Sequence, residues 1–196
     1  NPFNISKTNA TRFVIKSLNL AHKLASKKNV LGIINCAIDK KLLKKNKIGV
    51  TEYLAKKCHV KNHSEAMLII NKKLSVCPVT THIDVREISK KINKVKIINK
   101  IKTIDNWFKK NIKIKPKIGI LGLNPHNAEL REKSEEKRII IPAIKTLKKL
   151  GIKIDGPLVS DTIFVNDYKN YDIIVGMFHD QVLGPFKALF KFDAIN

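Results

Sequence analysis

The chain has 196 residues, a formal net charge of +23 and 43% hydrophobic residues, with only 8 glycines and 7 prolines. This composition excludes a disordered or collagen-like chain and is sufficient for one or two compact domains. No apolar run reaches the roughly 18 residues that a membrane span needs, so no membrane protein is predicted. The N-terminal stretch lacks a signal-peptide layout, and the three cysteines have no CxxC spacing, so we expect reduced thiols and a cytoplasmic protein.

The basic excess alone favours a nucleic-acid partner, because lysine and arginine neutralise phosphates. Two features argue against that interpretation. Arginine, which binds phosphate through two hydrogen bonds, supplies only four of the 39 basic residues, and the lysines are spread along the whole chain. Lysine, asparagine and isoleucine also share A/T-rich codons, so codon bias explains the lysines as solvated surface positions. A basic nucleic-acid-binding protein is kept as the alternative from a different class.

Helices and short apolar strands alternate along the chain. A helix is predicted from Thr8 to Lys27, a strand buried on both faces from Val30 to Asn35, and a helix from Asp39 to Asn46. Further strands are predicted at Ala66 to Ile70, Ser75 to Thr81, Ile118 to Leu123 and Asp172 to Met177. Further helices are predicted at Asp84 to Lys91, through an Ile/Lys-rich stretch to about Lys110, and from Ser134 to Leu150, before Gly151.

The order of these elements indicates an α/β fold with a largely parallel sheet and helices on both faces. Only three residues separate the apolar runs at 66–70 and 75–81, which predicts one antiparallel strand pair. The sequence shows no confident internal domain boundary.

Three of the six histidines, His82, His126 and His179, come just after predicted strands. The carboxyl ends of parallel strands meet at one edge of an open α/β sheet, where ligands bind. Three protein ligands with an open position are typical of a catalytic divalent metal site. A separate structural role for each histidine is the alternative.

The remaining histidines are predicted to have no such role. His59 and His63 are four residues apart, as in some metal-binding helices, but no acidic residue lies between them, so a surface pair is predicted. His22 lies in the amphipathic first helix and is expected to be exposed.

Other polar residues follow the same strands. Asp161 follows a Gly-Pro pair, Asp180 directly follows His179, and Lys187 follows Gly-Pro-Phe. A carboxylate beside a metal ligand can orient the imidazole or transfer a proton, and a lysine can bind phosphate. Asp161 capping a short helix and Lys187 as a solvated lysine are the alternatives. The sequence contains neither GxGxxG nor GxxxxGK[ST].

A series of motifs connects these residues over almost the whole chain from about Val30 onward. They are TEYLA (51–55), VTTHI (79–83), GILGLNPH (119–126), IIIPAI (139–144), GPLVSDTIF (156–164), MFHDQ (177–181) and PFK (185–187). In this order and approximate spacing, the motifs resemble the 4-hydroxythreonine-4-phosphate dehydrogenase family of pyridoxal phosphate biosynthesis.

The resemblance implies a fold like that of isocitrate and isopropylmalate dehydrogenases. It implies NAD-dependent oxidation of 4-phosphooxy-L-threonine and decarboxylation to 3-amino-2-oxopropyl phosphate, in the pathway to pyridoxine 5'-phosphate. It also implies a homodimer with the active site at the subunit interface, and a divalent ion (Zn, Mg or Co). The residues it assigns are His82, His126 and His179 to the metal, Asp161 and Asp180 to catalysis, and Thr51, Lys187 and Asn196 to the substrate.

The sequence departs from the family pattern in places. Val50 stands where the family has a histidine, which keeps open another phosphorylated four-carbon hydroxy acid as substrate, such as threonate or erythronate 4-phosphate. Asn127 and Ala128 replace glycines, and residues 36–40 replace a GP-x-x-K motif. We expect residues 1–196 to be a partial catalytic region, a fragment incomplete at both ends. It would lack the first strand-turn and the C-terminal part that binds NAD, and would have little turnover alone.

Overall fold

A computed structural model describes residues 5–27, 30–39, 41–43, 49–60 and 64–196, without the side chains of residues 51 and 52. The chain divides into two compact units, Asn1–Val60 and Lys61–Asn196. None of the described helices is long and apolar enough to cross a membrane.

The first unit contains helices α1 (Lys7–Ser26) and α2 (Val50–Lys57). Ser6 caps α1, because its side-chain oxygen accepts a hydrogen bond from the N–H of Asn9. The small core of this unit is formed by Leu18, Leu43 and Tyr53. Helix α1 confirms the helix predicted from Thr8 to Lys27, whereas α2 was not predicted.

The prediction of a strand from Val30 to Asn35 is wrong. Residues 30–39 form no strand, and Leu31 and Ile34 are fully exposed, at 111% and 103%. No strand is present in the described part of this unit to pair with them, and an apolar run forms a ladder only beside a partner. Of the helix predicted from Asp39 to Asn46, the structure has a 3-10 turn at 41–43, while residues 40 and 44–46 lie outside the described residues.

The second unit is built on a five-stranded sheet with strand order β1-β2-β5-β3-β4. The pair β1·β2 is antiparallel, with Ile70 opposite Ser75, and the other three pairs are parallel. This confirms the predicted α/β class and the predicted antiparallel pair. The strands are β1 (Ile69–Ile70), β2 (Ser75–Pro78), β3 (Ile118–Leu121), β4 (Ile154–Leu158) and β5 (Ile173–Gly176).

Five helices accompany this sheet, with short 3-10 and π segments between them. The helices are α3 (Ile88–Lys91), α4 (Lys94–Trp107), α5 (Ile141–Lys149), α6 (Ser160–Ile163) and α7 (His179–Phe190). As predicted, the helix before Gly151 ends there, and Gly151 has φ +74°. Strand β4 and helix α7 were not predicted, because each contains a Gly-Pro pair, which usually indicates a turn.

Both faces of the sheet are buried. One core contains Ile118, Ile120 and Val175 with side chains of α4 and α5. The other contains Leu121 and Ile174 with side chains of α6 and α7. A sheet covered on both faces explains why its strands are continuous apolar runs rather than alternating ones.

Strands β3 and β4 approach each other closely at Gly156. This residue has φ +143°, and a Cβ there would lie 2.4 Å from the carbonyl oxygen of Ile120. Only glycine fits this position without moving the backbone of β3.

Candidate active site

The three strand-end histidines follow neighbouring parallel strands. His82 comes after β2, His179 after β5 and His126 after β3, and these strands are adjacent in the order β2-β5-β3. Their registers are parallel, so the carboxyl ends of all three lie at the same edge of the sheet. The topology therefore places the three histidine-bearing segments at one edge, as the sequence predicts.

His82 and His179 form a close pair at this edge. Their ring centroids are 5.5 Å apart, with 40° between the ring planes. The Nδ1 of His179 lies 2.7 Å from Oδ1 of Asp180. When this nitrogen carries the proton, its N–H donates a hydrogen bond to the carboxylate, and the lone pair of Nε2 is free to bind a ligand.

His126 lies in a left-handed turn within Pro125–Leu130. The five residues from His126 to Leu130 all have φ between +49° and +55°. This conformation costs about 1–2 kcal/mol for each L-residue that is not glycine. Contacts from outside hold the turn, such as the hydrogen bond from Asn127 Nδ2 to the carbonyl oxygen of Pro157, 3.0 Å long. His126 itself is exposed.

The histidine pair suits a divalent ion. An ion bonded to two imidazole nitrogens at about 2.1 Å places the ring centres roughly 5 to 6 Å apart, as they are in this pair. Across the described residues, however, no three His, Cys, Asp or Glu side chains are arranged to hold a metal. The structure thus brings together two of the three predicted ligands, and His126 as the third stays a prediction from the sheet topology.

The structure describes the other predicted site residues on several separate elements. Asp161 is exposed in the first turn of α6. Lys187 is exposed in the last turn of α7, with its Nζ 5.8 Å from the centre of the Phe192 ring. Asn196 is exposed, and Thr51 lies in α2 of the first unit, with its side chain outside the described residues. Their predicted roles stay predictions.

Sequence reasoning missed two buried hydrogen-bond links between the strand ends. Thr80 Oγ1 donates to the carbonyl oxygen of Met177, at 2.7 Å. Gln181 accepts from the N–H of Met177 and donates from Nε2 to the carbonyl oxygen of Gly122, both at 2.7 Å. Both side chains are buried. Gln181 belongs to the motif MFHDQ, but nothing in the pattern assigned it this role.

Glu136 is a further residue that the sequence did not single out. It is fully buried, and its Oε1 accepts hydrogen bonds from the backbone N–H groups of Leu123 and Asn124, both at 2.8 Å. The side-chain amide of Asn124 also donates to Glu136 Oε2. Glu136 therefore holds the segment between β3 and His126. Its signal in the sequence is weak, because it is one of two adjacent glutamates at the start of an apolar stretch.

The neighbouring residue, Glu135, also accepts side-chain hydrogen bonds. It accepts hydrogen bonds from the hydroxyl of Ser89 and from Asn124 Nδ2. These bonds, that of Ser89 first, lower the pKa of Glu135 below its ordinary value, although partial burial opposes the shift.

The three remaining histidines have different outcomes: His22 differs from the prediction, His59 is exposed as a surface residue should be, and His63 lies outside the described residues. His22 is half-buried rather than exposed, and its Nε2 lies 3.5 Å from Cys58 Sγ. Of the pair His59 and His63, only His59 lies within the described residues, in a turn with φ +54°.

Known proteins are similar to this chain in both sequence and fold. The 4-hydroxythreonine-4-phosphate dehydrogenase of Sulfurihydrogenibium sp. is 47% identical over 150 residues, which are 76% of this chain and 46% of that protein. The D-threonate 4-phosphate dehydrogenase of Salmonella typhimurium is 34% identical over 181 residues, 90% of this chain and 55% of that protein. The crystal structure of a 4-hydroxythreonine-4-phosphate dehydrogenase from Klebsiella pneumoniae matches with a TM-score of 0.84 and 29% identity, over 93% of this chain and 57% of that one.

The α/β fold is thus the fold of these dehydrogenases. The family described as pyridoxal phosphate biosynthetic protein PdxA matches residues 2–196, and the chain belongs to it. This confirms the resemblance drawn from the motifs. The chain spans about half the length of the curated relatives that it matches.

Proposed function

We propose that the protein is a PdxA-type dehydrogenase that oxidises 4-phosphooxy-L-threonine with NAD and releases 3-amino-2-oxopropyl phosphate, in pyridoxine 5'-phosphate biosynthesis. In this reaction the alcohol at C3 becomes a ketone: the hydrogen on C3 passes to NAD as hydride, and the hydroxyl proton passes to a base. The resulting β-keto acid loses its carboxyl group as CO₂. The name of the relative that is 47% identical supports this substrate.

The observation that carries the proposal is the position of three histidines at the carboxyl edge of adjacent parallel strands, with the His82 and His179 rings 5.5 Å apart. We infer that His82, His126 and His179 bind a divalent ion. Bound there, the ion would act as a Lewis acid on the substrate hydroxyl, while NAD would accept the hydride.

The chain's own residues would then bind and orient the substrate. Asp180 would hold the ring of His179 through Nδ1 and leave Nε2 free to bind the ion. Asp161 and Asp180 are the carboxylates proposed to accept or return protons at the substrate. Lys187 is exposed at the end of the helix that begins at His179, and its ammonium group would bind the substrate phosphate. Thr51 and Asn196 are the other proposed substrate contacts.

D-threonate 4-phosphate is the second candidate substrate. One relative named for it is 34% identical to this chain over 90% of its length. Val50, in place of the family's histidine, removes a hydrogen-bonding group at a position where the resemblance implies a substrate contact. The two substrates differ in the group on C2, which is an amine in the threonine derivative and a hydroxyl in the threonate.

We further propose that the protein works as a homodimer in the cytoplasm, with the site at the subunit interface. Light scattering of the purified protein would measure the dimer directly. A monomeric mass at micromolar concentration would contradict it.

The metal site is tested by Co²⁺ titration followed by visible absorption. We expect the wild-type chain to develop cobalt bands, and His82→Ala, His126→Ala or His179→Ala to weaken binding by about a hundredfold or more. His22→Ala removes an imidazole from the first unit and serves as the matched control, with unchanged affinity. Wild-type affinity in His126→Ala would show that the three-histidine ligand set is wrong.

The reaction is tested by NADH absorbance with each substrate in turn, in the presence of the metal. Faster NADH formation with 4-phosphooxy-L-threonine supports the proposed activity. Little turnover is expected, because residues 1–196 are expected to be a partial catalytic region, so each rate is compared with that of His126→Ala. A preference for D-threonate 4-phosphate would assign the second candidate, and rates equal to that of His126→Ala with both substrates would contradict dehydrogenase activity of this chain.

A further inference from the structure

Three buried side chains tie together the strand ends that carry the histidines. Thr80 joins the segment before His82 to Met177, Gln181 joins Met177 to Gly122, and Glu136 holds the backbone just after Gly122. We call Thr80, Gln181 and Glu136 the strand-end clamp.

Gln181 is the central member of this clamp. It is the third residue of α7, two positions after His179, and its side chain folds back onto the strands instead of following the helix. Its Oε1 accepts from the end of β5 and its Nε2 donates to the residue after β3. One side chain thus connects the segment that leads to His179 with the segment that leads to His126.

Two glycines stand at the strand ends, a few residues before His179 and His126, and both are closely packed. A Cβ on Gly176 would lie 2.6 Å from Val182 Cγ1 and 3.0 Å from Gln181 Oε1. A Cβ on Gly122 would lie 2.1 Å from Asn127 Oδ1 and 3.2 Å from Glu136 Oε1. A larger residue at either position would displace these side chains, and each set includes one member of the clamp.

The Gln181 connection lies where the ladder between β3 and β5 stops, because the last residue pair of that ladder is Ile120 and Val175. Between β2 and β5, in contrast, backbone hydrogen bonds continue as far as the N–H of Thr80 and the carbonyl oxygen of Met177. Buried side-chain hydrogen bonds can fix the separation beyond the β3·β5 ladder, because breaking one leaves a donor or acceptor unsatisfied away from water.

We propose that Gln181 is a positioning residue that sets the distance between the His126 and His179 segments and thereby pre-organises them for one ligand. This inference rests on the proposed function, because only a site that uses both histidines together requires their segments to be held at a fixed separation.

The test uses three variants of the chain. Gln181→Met removes both hydrogen bonds at similar volume. Gln181→Glu keeps the oxygen that accepts from Met177 but loses the donor to Gly122, so it breaks only the connection to β3. Leu183→Ala, in the same helix, removes a buried apolar side chain that makes none of the clamp's hydrogen bonds, and it is the control for lost stability.

Two readouts are measured on each variant. The first is amide hydrogen exchange of the metal-free chain at Leu123 and Asn124, which lie beyond the connection to β3. We expect Gln181→Glu to accelerate exchange at these amides by about tenfold, more than Leu183→Ala does. The second is Co²⁺ affinity, which we expect both Gln181 variants to weaken by about 10- to 100-fold. Leu183→Ala should leave the affinity within about threefold of wild type, even where it lowers the melting temperature as much.

The outcomes separate this inference from the proposed function. If the wild-type chain binds Co²⁺ and the Gln181 variants bind it as Leu183→Ala does, the positioning role is overturned and the metal site stands. If the wild-type chain binds no Co²⁺, the proposed metal site fails, and the exchange data alone decide the positioning role. Unchanged exchange at Leu123 and Asn124 in Gln181→Glu overturns it, and selective acceleration there supports it.

Discussion

Replacing Glu136 tests whether this side chain holds the segment between β3 and His126. Its carboxylate is fully buried and accepts hydrogen bonds from the backbone N–H groups of Leu123 and Asn124. Glu136→Met fills a similar volume but offers no acceptor, so two partly buried N–H groups lose their partner. Glu136→Gln keeps one carbonyl oxygen but turns its amide nitrogen toward the amide nitrogen of Asn124.

The expected losses follow from these contacts. An unsatisfied buried donor costs about 1–3 kcal/mol, and these two are partly buried, so Glu136→Met should lower the free energy of unfolding by about 2–4 kcal/mol. Hydrogen bonds to a neutral acceptor are roughly half as strong as those to a carboxylate, so Glu136→Gln should lose about 1–2 kcal/mol. The predicted order of stability is therefore wild type, then Gln, then Met.

Urea unfolding measures these differences, with the fluorescence of Trp107, the only tryptophan in the chain, as the probe. The matched control is Glu132→Gln, because Glu132 is a nearby carboxylate that is 84% exposed and pairs with Lys137. We expect that control to change stability by less than about 0.5 kcal/mol. A stability of Glu136→Met equal to that of the control would refute the reasoning.

Three further predictions concern the fold around the site. Gly156→Ala should lower the free energy of unfolding by about 2–5 kcal/mol, because the new Cβ would overlap a backbone oxygen of β3. Gly151 has open space around it, so Gly151→Ala should lower the free energy of unfolding by only about 1 kcal/mol in the same urea assay. Burial raises the pKa of the Cys77 thiol to about 11, whereas Cys36 and Cys58 are exposed. Near neutral pH, two thiols of the native protein should therefore react with Ellman's reagent, and three should react in the unfolded protein. Three thiols that react rapidly in the native state would contradict this prediction. The hydrogen bond from Ser89 lowers the pKa of Glu135 in the folded state. The stability that this bond adds should therefore be present above pH 4.5 and be lost as the pH falls through the folded pKa. The difference in melting temperature between wild type and Ser89→Ala should therefore shrink in acid, and a constant difference would exclude that linkage.

The strands of the sheet were predictable where both faces are covered. Ile118–Leu121 and Ile173–Gly176 are continuous apolar runs, and both became central strands. The run from Val30 to Asn35 has the same composition, yet no strand lies beside it among the described residues and it is exposed. An apolar composition indicates that a segment tends to be buried. A strand also needs a neighbouring strand to pair with, and the local sequence does not specify that neighbour.

The site was predictable at the level of topology. Parallel strands that each end before a histidine must bring those histidines to one edge, and the sequence showed that pattern for His82, His126 and His179. The strand-end clamp was not predictable, because Thr80, Gln181 and Glu136 are far apart in the chain. Their hydrogen bonds depend on the packing of α7 and of the segment before α5 against the strand ends.

The turn that carries His126 shows why these distant residues matter to the site. The five residues from His126 to Leu130 are all in the left-handed region and none is glycine, so local preference favours another conformation. The turn must be held by contacts at its edges, and those contacts are Glu136 on the preceding backbone, Asn127 on the Pro157 carbonyl and Arg131 on the Ala128 carbonyl. Because the local sequence opposes the conformation, loss of one edge contact should move His126 further than it would in a glycine-rich turn. The position of this histidine is therefore set by hydrogen bonds at the edges of the turn, such as those of Glu136 and Asn127, rather than by the backbone preference of the residues in the turn.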